Sequence, residues 1–184
     1  MLKKITISSA LFFFSAALAL QASPFPYSVK VVVSEQALYL YKGGEIVKTY
    51  PVSTSKYGTG NRLGSGKTPL GTHKVERKIG AEAPLYTIFR NRVNTKQLVA
   101  PNFSPRPSGK DFVTTRILWL RGLEPGVNKG GRIDSFRRCI YIHGTPDEGL
   151  IGSPASHGCI RMKNKDVAEL FDAVPVGALV EILP

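Results

Sequence analysis

Ser28-Val29-Lys30-Val31-Val32-Val33-Ser34-Glu35-Gln36-Ala37-Leu38-Tyr39-Leu40-Tyr41-Lys42-Gly43-Gly44 holds two short alternating runs and a turn. Period two puts Val29, Val31 and Val33 on one face of the first run. It puts Leu38 and Leu40 on one face of the second, with Tyr39 and Tyr41 opposite. Gly43-Gly44 supplies a tight turn and Glu45 to Thr54 runs back, so the spacing predicts a β-hairpin. The rest of the chain agrees with a β-rich fold. With 18 Gly and 13 Pro in 184 residues, many turns and few long helices are expected. Hydrophobic content of 42% and charged content of 21% suit one globular domain, not a disordered chain.

Ser55 to Gly66 is rich in Gly, Ser, Asn and Lys and reads as a mobile loop. Thr68-Pro69-Leu70-Gly71-Thr72 is a turn launching a strand from His73 to Ile79. His73 stands alone and reads as a packing or surface residue. Leu85 to Phe89 and Ile117 to Leu120 look like strands. Ala100 to Gly109 is loop chemistry, and Glu124-Pro125-Gly126 marks a turn. Residues 80–135 thus form a long loop-rich insertion, a type that often binds or covers ligands. Arg138 to His143 is a strand by composition, with Cys139, Tyr141 and His143 on one face. A single helix is expected from Asn164, read as its N-cap, with Val167, Leu170, Phe171 and Val174 as the apolar stripe. Pro175 and Gly177 end it, and Ala178 to Leu183 reads as a closing strand.

The first residues follow a different logic. Lys3 and Lys4 precede an apolar run from Ala10 to Leu20, with small residues at Ala19 and Ala22. That is the layout of a secretory signal peptide. The run is short for a membrane span, so no stable span is expected once the signal is cleaved. Residues 1–22 are assigned to the signal, 23–27 to a Pro-containing linker and 28–184 to the folded domain. The formal net charge is +12, and it stays strongly basic without the signal's two lysines. A basic exported protein meets polyanions, including anionic cell-wall polymers. No zinc-finger spacing, phosphate loop or aromatic-basic RNA motif is present, so nucleic acid is not an expected partner.

The chemistry concentrates in Ser156-His157-Gly158-Cys159-Ile160-Arg161-Met162 and, upstream, Ile142-His143-Gly144-Thr145. A thiol is a poor nucleophile until it loses its proton, and a neighbouring imidazole can take that proton. His157 lies two residues from Cys159. His143 ends the preceding strand and is returned to the thiol by a Gly/Ser/Pro loop. Spacing leaves both imidazoles open as the base; His143 is preferred, with His157 shaping the site. Gly158 permits close approach of a substrate, and backbone N–H groups around Gly158 and Cys159 can face an oxyanion. Arg161 can grip a carboxylate with a forked pair of hydrogen bonds.

These two runs closely resemble the L,D-transpeptidase (YkuD-like) catalytic domain. Lys67-Thr68-Pro69-Leu70-Gly71-Thr72 is similar to that family's Thr-Pro-x-Gly turn, and the pattern from Thr115 through the Asn164 helix also resembles it. The resemblance implies a mainly β fold: a β-sandwich of mixed sheets with one packed C-terminal helix. It implies a periplasmic or cell-wall enzyme acting on peptidoglycan stem peptides. Cys159 would be the nucleophile and His143 its base, with His157, Gly158, Arg161, Ser156 and Gly144 supporting substrate or oxyanion. A thioester would form with loss of D-Ala, and an amine of a second stem would complete a 3→3 cross-link. No metal or organic cofactor is implied.

Other readings use the same residues. Water in place of the amine makes an L,D-carboxypeptidase, and a protein amine makes a wall attachment. A non-catalytic wall-binding module would use the basic surface alone. His143, His157 and Cys159 resemble a zinc set, but no helical His pair accompanies them. Cys139 and Cys159 invite a disulfide in an oxidising compartment; inert packing is the preferred reading of Cys139.

Overall fold

The protein is described by a computed structural model covering residues 26–184. The signal expected at 1–22, and most of the linker, lie outside the described residues. The hairpin forms as its alternation dictates. β1 (Tyr27–Val32), β2 (Ala37–Lys42) and β3 (Glu45–Pro51) run antiparallel, with Val29, Val31, Leu38 and Leu40 buried. β1 begins at Tyr27, inside the span assigned to the linker.

The remaining strands extend this ribbon. They are β4 (Gly71–Ile79), β5 (Thr87–Arg90), β6 (Val93–Leu98), β7 (Val113–Gly122), β8 (Tyr141–Gly144), β9 (Ile160–Met162) and β10 (Leu179–Leu183). The path runs β3-β2-β1-β10-β4-β7-β5-β6, with β8 paired to β7 and β9 to β8. β1–β10 and β8–β9 are parallel pairs and the other pairs are antiparallel, so the sheet is mixed. Among the described residues, no helix is long and apolar enough to cross a membrane.

β7 is the hub. Its Ile117-Leu118-Trp119-Leu120 run is buried on both faces, as a strand covered on both sides requires. Leu118 and Leu120 join the main core; Ile117 and Trp119 join a second cluster with Ala83, Phe89 and Tyr141. The helix α1 (Asn164–Ala173) lays Val167, Leu170 and Phe171 on the main core. The expected apolar stripe is therefore the buried face.

Three local expectations need correction. Lys163, not Asn164, is the N-cap, and it makes no side-chain cap bond. Asn164 is the first helical residue, and its fully buried amide is drawn elsewhere. Its Oδ1 accepts from Thr114 Oγ1 at 2.7 Å and Thr115 Oγ1 at 2.5 Å. Its Nδ2 donates to the Thr145 carbonyl at 2.7 Å and to Glu148 Oε1 at 2.7 Å. Second, β8 starts at Tyr141 and not at Arg138: Cys139 precedes it in a left-handed conformation (φ 57°), with its side chain packed in the same cluster as Tyr141. Third, the 55–66 loop is pinned. Ser55 Oγ donates to the Gly66 carbonyl at 2.6 Å, and Asn61 bonds both Leu70 and Val127.

The Asn164 amide ties the segment after β8 to a bulge in β7, where Thr115 sits at φ 66°. Positive φ is a strained state for a β-branched residue, and the Thr115 hydroxyl is held there from both sides. It accepts from the Tyr86 N–H at 2.8 Å and donates to Asn164. Asn164→Ala leaves several buried polar groups without partners, so it is expected to cost about 3–4 kcal/mol of stability by urea unfolding.

Candidate active site

The site is a consequence of register. β8 and β9 lie side by side in parallel, with Ile142 beside Ile160 and His143 beside Arg161. Ile142 and Ile160 point into the core. Period two then turns Tyr141 and His143 to the opposite face, together with Arg161 and the Cys159 that precedes β9. A cavity of about 100 Å³ opens there, lined by Asp111, Val113, Tyr141, His143, Ser156, His157, Cys159 and Arg161. Five of the residues expected to act together, Cys159, His143, His157, Arg161 and Ser156, thus share one small space.

Ser156 shapes the approach to the thiol. Its Oγ donates to the Cys159 carbonyl at 2.6 Å and accepts from the Gly158 N–H at 3.2 Å. Between them Gly158 adopts φ 127°, a conformation that side chains rarely allow. Cys159 itself is half-buried against the Trp119–Tyr141 cluster. The Tyr141 N–H points at its Sγ at 3.4 Å, and Sγ lies 3.4 Å from the Cys139 carbonyl. Both cysteines are free. Arg92 Nη1 reaches Cys139 Sγ at 3.4 Å and Tyr141 Oη at 3.0 Å.

His143 is 2% exposed. Its Nδ1 lies 2.7 Å from the Gly144 carbonyl oxygen, which can only accept. Nδ1 therefore carries the proton and Nε2 keeps its lone pair. Gly144 is the residue on which this depends. A Cβ there would lie 2.6 Å from Asn164 Oδ1 and 2.8 Å from the Thr114 carbonyl. In this structure Gly144 is buried and orients His143 through its carbonyl.

Burial dominates the electrostatics of the pair. It pushes the His143 imidazole down to about 4, against the pull of the Gly144 hydrogen bond, and Arg161 pushes the same way. It pushes the Cys159 thiol up to about 12; the Tyr141 N–H opposes this and the Asp111 charge reinforces it. Both shifts favour a neutral thiol and a neutral imidazole over an ion pair.

Asp111 is the member that the sequence did not announce. It sits between the 100–109 loop and β7, in a stretch with no periodicity and no motif. Its Oδ2 lies 2.7 Å from His157 Nδ1 and its Oδ1 lies 2.6 Å from Arg161 Nη2. Partial burial works to raise its carboxyl, but Arg161, His143 and His157 outweigh that and hold it below its ordinary value. The loop that delivers Asp111 is docked: Asn102 bonds the Pro146 carbonyl, the Gly149 N–H and Asp147 Oδ1. Among the described residues, no group of three His, Cys, Asp or Glu side chains is arranged to hold a metal ion.

Comparison with known proteins places this architecture. The family model for the L,D-transpeptidase catalytic domain (YkuD) matches residues 26–182. A Bacillus licheniformis protein named as the L,D-transpeptidase YkuD is 30% identical over 160 residues, covering 86% of this chain and 67% of that protein. The Escherichia coli protein named as the L,D-transpeptidase YbiS is 30% identical over 157 residues, or 82% of this chain and 42% of that one. This chain thus spans about two thirds of the first relative and less than half of the second. L,D-transpeptidase 3 from Mycobacterium tuberculosis shares the fold at TM-score 0.53, with 16% identity over 86% of this chain and 61% of that chain. Another L,D-transpeptidase, solved in complex with imipenem, does so at TM-score 0.51, with 20% identity over 86% of this chain and 59% of that chain. The family model covers nearly every described residue, and the Ser156–Met162 run leads into and forms β9; the chain belongs to the L,D-transpeptidase catalytic-domain family.

Proposed function

We propose that the protein is an exported peptidoglycan L,D-transpeptidase with Cys159 as nucleophile. One observation carries this reading: Tyr141 and His143 of β8 line one small cavity with Arg161 of β9 and the Cys159 that precedes it, with His143 Nδ1 engaged and Nε2 left as acceptor. In the reaction, Cys159 Sγ attacks the carbonyl between the L-centre of a stem's diamino acid and its terminal D-Ala. His143 Nε2 takes the thiol proton as the S–C bond forms, since a thiol held near 12 does not ionise beforehand. The same proton passes to the D-Ala nitrogen as the C–N bond breaks, leaving a thioester. The amine of a second stem then attacks, His143 removes its proton, and the thiol leaves. His157 and Arg161 hold the donor, and the Ser156–Gly158 turn sets the thiol's position.

Mature protein incubated with disaccharide-tetrapeptide is expected to give a cross-linked dimer with loss of D-Ala, read by mass spectrometry. Tripeptide without dimer would instead make water the acceptor and the protein an L,D-carboxypeptidase. Carbapenems carry a strained acyl group that a cysteine can open. Imipenem is therefore expected to add its intact mass to Cys159, and an unmodified Cys159 peptide after incubation would count against the assigned nucleophile.

A further inference from the structure

Arg161 is a buried cation with too few partners. It is 4% exposed, its Nε is buried without a hydrogen-bond partner, and its ion pair is with Asp111. A guanidinium offers five donors in a planar fork, suited to two carboxylate oxygens. Here it receives one oxygen, and the other oxygen of that carboxylate is on His157. The partner comes from an exposed position on a loop, with a side chain 41% exposed. A surface carboxylate has been brought in to meet a buried cation.

Its position also divides the groove. Asp111, His157 and Arg161 line the 100 Å³ cavity that holds Cys159. The same three line a larger cavity of about 360 Å³, with Lys56, Lys110, Leu150 and Pro154 on its walls. The carboxylate bridge stands between the thiol and the larger space.

We infer that Asp111 is a built-in occupant of the Arg161 carboxylate site, and that it sets specificity by yielding only to a ligand whose own carboxylate replaces it. This rests on the reading of Arg161 as the donor's carboxylate holder. A neutral ligand leaves the Asp111 bridge closed and the two cavities separate. An anionic stem exchanges one carboxylate for another on the same guanidinium and joins them. The Asp111 side chain then turns outward, where solvent already reaches it, while its loop stays docked.

The test is binding, so it does not depend on which acyl acceptor the enzyme uses. N-acetyl-D-alanine is titrated into Cys159→Ala protein with and without Asp111→Asn, following the Arg161 Nε–H resonance by NMR. The methyl ester of the same compound is the neutral control, and Asp172→Asn controls for the loss of one surface charge. If the displaced state is about a tenth of the population, apparent affinity in the Asp111→Asn protein rises about tenfold. The ester is expected to move Arg161 in neither protein. Equal affinity with and without Asp111→Asn, or an equal gain from Asp172→Asn, would overturn the inference. So would the absence of any carboxylate binding at Arg161 in either Asp111→Asn or a second variant, Asp111→Ser. Failure here leaves the turnover experiment with disaccharide-tetrapeptide unaffected, so the two readings fail separately.

Discussion

Cys159→Ala is expected to remove turnover to the limit of detection, a loss of at least about 10⁴-fold in kcat, by analogy with nucleophile knockouts in covalent catalysis. The thioester cannot form without sulfur, and no other nucleophile lines the cavity in a position to replace it. Ser156 Oγ is the nearest hydroxyl in sequence, but it donates to the Cys159 carbonyl and accepts from the Gly158 N–H. Stability is expected to fall by about 1–2 kcal/mol, because a half-buried site loses one atom and the Tyr141 N–H and Cys139 carbonyl lose their sulfur partner. The discriminating measurement pairs dimer formation from disaccharide-tetrapeptide with urea unfolding of the same preparation. Retained turnover in a folded variant would remove Cys159 from the mechanism. Loss of turnover together with loss of folding would say only that Cys159 holds the β8–β9 pair, so the two readouts are needed side by side.

How far the sequence carried the reading depends on whether a residue sat in a periodic stretch. Val29, Val31, Leu38 and Leu40 alternate, and their burial follows from that alternation alone. Val167, Leu170 and Phe171 were visible as a helical stripe for the same reason. His143 was legible because it ends a strand and Cys159 because a glycine and two polar residues crowd it. β6 was missed because Val93-Asn94-Thr95-Lys96-Gln97-Leu98 is an exposed edge strand, with no core to impose alternation. β8 starts only at Tyr141, later than expected, because Arg138-Cys139-Ile140 has the composition of a strand; Cys139 nevertheless packs beside Tyr141. Asp111 and the work of Asn164 were illegible for a deeper reason. Asp111 acts through contacts more than forty residues distant in sequence, and Asn164 through contacts 16 to 50 residues distant; a local pattern carries no record of such pairs.

His143→Gln is expected to lower kcat by about 10²–10⁴-fold, the usual worth of a positioned general base, while the protein stays folded at neutral pH. Glutamine keeps a side-chain donor for the Gly144 carbonyl but has no basic nitrogen. A second readout separates the base from a merely structural imidazole. Burial holds His143 near 4 in the folded protein, against an ordinary value of 6.5. A depressed imidazole binds its proton more readily in the unfolded chain. The associated stability is therefore complete above about pH 6.5 and is lost as the pH falls toward 4. His73, buried between the Gly71 carbonyl and Ser135 Oγ, is also pushed down to about 4 and behaves the same way. Each histidine accounts for a fall of about 2–3 kcal/mol between pH 7 and pH 4.5. In His143→Gln that fall should shrink by one histidine's share, leaving the part due to His73 and the carboxylates. A loss of turnover with the shrunken fall describes one buried neutral imidazole doing both things. If turnover drops but the fall is unchanged, His143 is not neutral and dry in the resting enzyme. The proton acceptor would then have to be sought at His157, on the solvent side of the thiol.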